Sequence, residues 1–144
     1  MNLHVSTTFI AVHDHDAALA FYHDVLGLEI RQDVKFEGNR WVTIGSPTQP
    51  ELGIVLEPPA VTASPADSRT LDELLAKGLL RGVIFTTDDV DALFERVQAS
   101  GAEVVQEPMD QFYGVRDCAF RDPSGNQLRF NQPLKQPMNQ PSGT

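Results

Sequence analysis

The sequence predicts an α+β fold of two tandem βαβββ modules, residues 1–57 and 79–132, on the evidence of a repeat and of hydrophobic periodicity. Residues 12–30 and 86–104 share one pattern at an offset of 74 positions. The matched positions are Asp14 with Asp88, Ala18 with Ala92, Leu19 with Leu93, Gly27 with Gly101 and Glu29 with Glu103. In both halves the apolar spacing indicates a strand, a helix and then three strands. A repeat this long in 144 residues indicates two similar units packed together.

The first module is predicted to open with a strand and a helix. Residues 3–12 alternate loosely and are rich in β-branched side chains, which is typical of a strand. Asp14 or Asp16 can cap the helix at 16–26 by accepting hydrogen bonds from its free backbone N–H groups. Gly27 ends the helix, since glycine takes the left-handed cap conformation at low cost. The strands predicted to follow are 28–37, 40–46 and 51–57.

Residues 58–78 are predicted to link the modules. Their start is rich in proline and serine, and residues 70–77 favour a short helix ending at Gly78. The segment is longer than a usual connection, which leaves a lid, a subunit contact and a plain spacer as alternatives. The elements predicted for the second module are a strand at 79–87, a helix at 89–99 and strands at 102–108, 113–121 and 126–132. The tail at 133–144 has little apolar surface to bury and is predicted to be disordered.

Composition restricts the classes of function. Hydrophobic residues make up 41% and charged residues 22% of the chain, as in ordinary globular proteins. The net charge of −9 repels nucleic acid and anionic membranes, and it favours neutral or cationic ligands as well as solubility. No apolar run approaches membrane-spanning length and the start lacks a signal-peptide layout, so a cytoplasmic protein is expected. Cys118 is the single cysteine, which excludes an intrachain disulfide and favours a buried thiol.

Several short motifs resemble the vicinal oxygen chelate superfamily, which includes glyoxalase I, extradiol dioxygenases and bleomycin resistance proteins. They are Val12-x-Asp14, Phe21-Tyr22, Val25-Leu26-Gly27-Leu28 and Asp122-Pro-x-Gly-Asn126. The resemblance covers about residues 5–132. It implies curled mixed sheets of two βαβββ modules that enclose a cleft, commonly within a homodimer.

The resemblance also implies where a metal would be held, because enzymes of this superfamily usually bind one divalent ion with His, Glu or Gln from four strands. The corresponding positions here are Thr7, Val55, Val83 and Arg129. Valine has no donor atom and arginine brings a positive charge, so this set does not suit a divalent cation. We therefore expect no metal and no other cofactor. The cluster His13-Asp14-His15-Asp16 is interpreted as a polar turn with a helix cap.

Side chains two apart on a strand share a face, and this gives a candidate ligand-binding set around the implied cleft. The strand residues of the set are Thr7, Phe9, Val55, Glu57, Val83, Phe85 and Arg129. Three aromatic residues are expected to close the rim of the cleft: Trp41, and Phe112 with Tyr113 in the loop between two strands of the second module. The set is mostly apolar with a few polar anchors, as small-molecule pockets are. Core filling is the competing interpretation for the apolar members. An inward Arg129 needs a partner because a buried unpaired charge is costly. Glu57 is the internal partner we predict, and a group of the ligand is the alternative.

The leading hypothesis is a metal-free protein that sequesters an aromatic or drug-like molecule, as the resemblance to antibiotic-binding bleomycin resistance proteins implies. One alternative is an enzyme, a glyoxalase-like lyase or isomerase or a dioxygenase, with Glu57 or Tyr113 as the acid–base group. Another is a non-catalytic interaction module whose cleft is filled by Trp41, Phe36 and Phe120. The expected partners are a small-molecule ligand and a second copy of the chain, without nucleic acid or membrane.

Overall fold

The computed structural model describes residues 1–135 and contains both βαβββ modules in the predicted order. The first module comprises β1 (Thr7–Ala11), α1 (His15–Leu19), β2 (Glu29–Phe36), β3 (Asn39–Gly45) and β4 (Gly53–Glu57). The linker carries α2 (Pro65–Ala76). The second module comprises β5 (Ile84–Thr86), α3 (Val90–Ala99), β6 (Val104–Asp110), β7 (Val115–Arg121) and β8 (Gln127–Pro133). None of the helices in these 135 residues is long and apolar enough to cross a membrane.

Each module forms its own four-stranded mixed sheet. The strand orders are β1-β4-β3-β2 and β5-β8-β7-β6. In each sheet the first strand of the module pairs with the last in parallel, and the other neighbours are antiparallel. The predicted fold class is therefore confirmed.

The first helix begins as predicted and changes its winding after a short distance. Asp14 is the N-cap, and its carboxylate accepts the Ala17 N–H at 2.7 Å. From Ala20 to Val25 the chain continues as a π-helical turn. Gly27 ends it with φ of 79°, a left-handed conformation that favours glycine.

The linker is more regular than its composition suggests. Helix α2 begins at Pro65, before the start predicted at residue 70. Ser64 caps it by accepting the Asp67 N–H at 3.2 Å, and Pro65 stands in the first turn, where its missing N–H is not needed. The Ser-Pro pair is therefore a helix start and not the flexible connection that it resembles. A 3₁₀ turn at Pro59–Val61 precedes the helix.

Two strands and the tail differ in extent from the prediction. Strand β1 starts at Thr7 and not at residue 3, while β5 is reduced to Ile84–Thr86. Strand β8 includes Pro133, which pairs with Val115. The rest of the predicted tail, residues 136–144, lies outside the described residues.

Each sheet has one face that contributes to a buried core. In the first module the core face carries Ile10, Val42 and Leu56, which are neighbours in the strand register and are almost fully buried. In the second, the ring of Phe120 lies 5.2 Å from Phe94 of α3 and 6.3 Å from Phe130. We call the opposite side of each sheet its open face. The open faces carry Phe9, Trp41, Val55 and Glu57 in the first module, and Asp117, Ala119, Arg129 and Asn131 in the second.

The chain divides into two compact units that follow the modules. One comprises residues 1–80 with the turn 123–126, and the other comprises residues 81–122 and the chain from Gln127 onward. Hydrogen bonds join the turn 123–126 to the end of β1 and the segment after it in the first unit. The His13 N–H donates to Ser124 Oγ at 2.9 Å, and Asn126 Nδ2 donates to the Ala11 carbonyl at 2.7 Å.

Candidate ligand-binding site

The first module places its predicted strand residues on one face. Phe9 pairs with Val55 across β1 and β4, and Glu57 lies two residues further along β4. Thr7 lies on the same face, two residues before Phe9. Phe9 is 57% exposed, whereas Val55 is only 2% exposed. Val55 is therefore a packing residue, whereas the side chain of Phe9 is accessible to a ligand.

Trp41 lines the larger pocket described in the first module, with a volume of about 370 Å³. The tip of the β2–β3 hairpin forms one side, and Val61 from the linker forms another. The lining residues are Phe36, Glu37, Asn39, Arg40, Trp41 and Val61. The indole N–H of Trp41 donates to Gln32 Oε1 at 3.1 Å, and the residue is 42% exposed. The pocket therefore presents the partly exposed indole of Trp41 as an aromatic surface.

The linker contributes to the walls of both pockets described on this module. A second pocket, of about 140 Å³, lies beside Phe9 and Glu57, with Pro59 and Leu71 in its wall. Since Val61 lines the larger pocket as well, residues 58–78 do more than span a distance. Sequence reasoning missed these lining residues because it assigned the ligand-binding surface to the two modules and none of it to residues 58–78.

In the second module, Arg129 pairs with Asp117, and the predicted pairing with Glu57 is wrong. Arg129 Nη1 donates to Asp117 Oδ2 at 3.1 Å and to Gln106 Oε1 at 2.9 Å. Asp117 side-chain atoms are fully buried. The two residues face the same side because β7 and β8 pair with Ala119 opposite Arg129. This register could not be deduced from the sequence, so the sequence did not reveal Asp117 as the partner of Arg129.

Asp117 accepts hydrogen bonds from four side chains, and together these five residues form the Asp117 network. Its members are Asp117, Arg129, Gln106, Gln111 and Tyr113. The Nε2 of Gln106 donates at 2.8 Å, the Nε2 of Gln111 at 2.9 Å and the Tyr113 hydroxyl at 3.3 Å. Burial raises the pKa of Asp117, but these hydrogen bonds and Arg129 outweigh it and leave the pKa below the ordinary 3.8. The carboxylate is ionised at neutral pH.

The strand β5 lies one residue out of the predicted register. Ile84, and not Val83, is the partner of Arg129 on the open face. Phe85 pairs with Phe130 and stacks on it at 5.5 Å, which places Phe85 on the core face. Val83 precedes the strand, and its carbonyl accepts the Arg129 N–H at 3.2 Å.

Phe112 and Tyr113 form an exposed aromatic pair between β6 and β7. Their ring centroids are 5.1 Å apart in an edge-to-face arrangement. The Tyr113 hydroxyl donates to Asp117, so the phenol belongs to the Asp117 network. Both rings lie in the loop between β6 and β7, because β7 begins at Val115 and not at residue 113.

The residues at the superfamily's metal-ligand positions do not fit a divalent cation. Val55 and Val83 carry no donor atom, and the Arg129 guanidinium is a cation already paired with Asp117. In residues 1–135 no group of three His, Cys, Asp or Glu is placed to hold a metal ion. The two imidazoles of the His13–Asp16 cluster are used separately. His13 Nδ1 lies 3.1 Å from Asp72 Oδ1, and His15 Nε2 lies 2.9 Å from the Leu56 carbonyl oxygen.

Comparison with known proteins identifies the family of this architecture. A sequence model of the Glyoxalase/Bleomycin resistance protein/Dioxygenase superfamily matches residues 3–130. The chain belongs to this superfamily. The resemblance drawn from the motifs is thereby confirmed.

Individual known proteins are similar to this chain over almost its whole length. The crystal structure of UcmS2 is 34% identical with a TM-score of 0.82, and the match covers 91% of this chain and 98% of UcmS2. TnmS3, an antibiotic binding protein from Streptomyces sp. CB03234, is 30% identical with a TM-score of 0.71, covering 92% of this chain and 97% of TnmS3. The uncharacterized protein YurT of Bacillus subtilis (strain 168) is 30% identical over 129 residues, which are 89% of this chain and 98% of YurT.

Proposed function

We propose that this protein binds a flat aromatic or drug-like small molecule and releases it unchanged. The observation that carries the proposal is the pocket of about 370 Å³ beside Trp41, whose indole donates a hydrogen bond to Gln32 and is partly exposed. Phe36 and Val61 add apolar surface to the same pocket. Rigid, exposed aromatic surface in a concave site suits stacking against a planar ligand.

Three further observations support the binding of an unmodified ligand: the donor chemistry at the metal positions, the similarity to TnmS3 and the net charge. The donor chemistry at Val55, Val83 and Arg129 does not suit a divalent cation. The similarity to TnmS3, an antibiotic binding protein, favours retention of an antibiotic-like ligand over its chemical conversion. The net charge of −9 favours ligands that are neutral or cationic.

Trp41 is the only tryptophan in the chain, so its fluorescence reports directly on the proposed pocket. We expect saturable changes of emission with dissociation constants in the micromolar range or below for aromatic, neutral or cationic antibiotics. Ligand recovered from the complex should be chemically unchanged. The absence of micromolar binding across such a panel would contradict the proposal.

A matched pair of variants tests whether the pocket is the site. Phe36→Ala removes an exposed pocket ring and should weaken binding at least tenfold while Trp41 still reports. Val105→Ala removes another exposed apolar side chain, from β6 and outside the pocket, and should leave affinity unchanged. Equal affinities of the two variants would move the site elsewhere.

The two alternative functions give different results in the same experiments. An enzyme, a lyase, isomerase or dioxygenase, would return a converted ligand. A non-catalytic interaction module would bind none of the small molecules, but here Phe36 and Trp41 are exposed and Phe120 is part of the core, so they do not fill a cleft. The proposed assembly is a homodimer, and sedimentation equilibrium should give twice the mass of 15.9 kDa.

A further inference from the structure

We propose that Arg129, on the open face of the second module, binds two adjacent oxygen atoms of an aromatic ligand through one edge of the guanidinium. The inference rests on the proposed function and gives the ligand class more narrowly. The expected ligand is an aromatic compound that carries neighbouring carbonyl and hydroxyl oxygens.

The hydrogen bonds of Arg129 leave one edge of its guanidinium available. Nη1 is engaged by Asp117 and Gln106. Within residues 1–135, Nε and Nη2 have no hydrogen-bond partner, and the side chain is 31% exposed. These two nitrogens lie on the same edge of the planar group and donate in parallel, which matches a pair of neighbouring oxygen acceptors.

The Asp117 network holds this edge in place before any ligand arrives. The buried carboxylate fixes Nη1, while Gln111 and Tyr113 in turn fix the carboxylate. A side chain that is already ordered loses little conformational entropy on binding. A solvated arginine on a free surface would not have this advantage.

The neighbours of Arg129 on the open face supply another donor and an apolar surface. Asn131 lies two residues further along β8, and its Oδ1 accepts the Thr86 hydroxyl at 2.9 Å. In the described part of the chain its Nδ2 has no partner, so it too can donate to a ligand. Ile84, beside Arg129 in the register, is an exposed apolar side chain. Donors beside an apolar surface favour an aromatic ring that bears oxygen acceptors.

Charge decides between a neutral and an anionic acceptor. Arg129 and Asp117 form an ion pair at 3.1 Å, so the network as a whole carries no excess positive charge. The chain carries a net charge of −9, which repels anions. A neutral hydroxyketone therefore fits better than a carboxylate.

Three probes of similar shape separate these possibilities: 2-acetyl-1-naphthol with two adjacent oxygens, 2-acetylnaphthalene with one, and the anion 1-hydroxy-2-naphthoate. We expect the naphthol to bind the wild-type protein at least tenfold more tightly than 2-acetylnaphthalene, in titrations followed by calorimetry. A tenfold difference in affinity between the two probes corresponds to about one charge-assisted hydrogen bond. If 1-hydroxy-2-naphthoate bound more tightly than 2-acetyl-1-naphthol, the inference that the ligand is neutral would be wrong.

Arg129→Lys is the decisive variant because it keeps the charge beside Asp117 and removes the two-donor edge. It should weaken the binding of 2-acetyl-1-naphthol about tenfold or more, and the affinity for 2-acetylnaphthalene should stay within about threefold of the wild-type value. Arg81→Lys makes the same change at an exposed arginine and should alter neither affinity. The double variant Asp117→Asn with Arg129→Gln, which keeps an uncharged network, should reproduce the selective loss if the lysine variant does not fold.

The outcomes distinguish this inference from the proposed function. Equal losses for both probes in Arg129→Lys, or none for either, would overturn the role of Arg129 and leave aromatic binding intact. No binding of any probe or antibiotic to the wild-type protein would overturn both.

Discussion

Arg40 and Arg116 make equivalent ion pairs in the two modules. Arg40 of β3 bridges Asp33 on the neighbouring strand and Asp16 in the first turn of α1, both at 2.8 Å. The corresponding residues for Arg116 of β7 are Asp110 on the neighbouring strand at 3.1 Å and Asp91 in the first turn of α3 at 3.0 Å. The repeat therefore includes a charged link between sheet and helix, which the aligned apolar positions do not reveal.

Removal of this link should lower stability by a modest and measurable amount. Arg40 donates to both carboxylate oxygens of Asp33 through Nε and Nη2, each at 2.8 Å. Such two-point geometry makes an exposed pair worth more than the usual fraction of a kcal/mol. We expect Arg40→Gln to lower the free energy of unfolding by about 1 kcal/mol in urea denaturation.

Arg69 of α2 provides the control, because it is exposed and makes no hydrogen bond or ion pair among the described residues. Arg69→Gln should change the free energy of unfolding by less than about 0.5 kcal/mol. Equal effects of the two substitutions would show that the link contributes nothing.

Asp117 should make the free energy of unfolding depend on pH in the acidic range. Its pKa in the folded protein lies below the ordinary 3.8, since hydrogen bonds and Arg129 outweigh the effect of burial. Because the pKa of Asp117 is lowered in the folded protein, its ionised carboxylate stabilises the fold above about pH 4. This stabilisation is lost as the pH falls through the folded-state pKa. We expect Asp117→Asn to reduce this loss between about pH 4 and pH 2 in chemical denaturation.

The exposed Asp88, which has no partner among the described residues, is the matched control. Asp88→Asn should leave the acid dependence as in the wild type. At neutral pH Asp117→Asn should itself cost about 1–3 kcal/mol, since it leaves Arg129 without its carboxylate. An unchanged acid profile in Asp117→Asn would contradict the assignment.

Gly125 should tolerate no side chain, for a reason that the turn sequence does not contain. Its φ is 110°, and an added Cβ would lie 2.5 Å from the Leu75 carbonyl oxygen. Gly38, in the β2–β3 turn, also has positive φ, but a Cβ there would meet open space. We expect Gly38→Ala to cost about 1 kcal/mol and Gly125→Ala at least about 2 kcal/mol more in thermal or urea unfolding. Similar costs at both positions would refute the close approach to α2.

The features that could be predicted from the sequence are those that a few neighbouring residues determine. Asp14 as a helix cap and Gly27 as a helix end depend on local geometry, so the order of elements followed from them. The pairing of Arg129 with Asp117 depends on the register between β7 and β8, which no local pattern specifies. Phe85 was placed on the wrong face for the same reason, since a slip of one residue exchanges the faces of a strand.

Cys118 should be inert in the folded protein and reactive after unfolding. Its side chain is fully buried, and burial, with a contribution from Asp117, raises the pKa of the thiol to about 11. At pH 8 only about a thousandth of such a thiol is ionised, and the thiolate is the reactive form. We expect a disulfide reagent to label the native protein at least about a hundredfold more slowly than the protein in urea. The chain has a single cysteine, so the signal has one source, and rapid labelling of the native protein at pH 8 would show that β7 is open to solvent at this position.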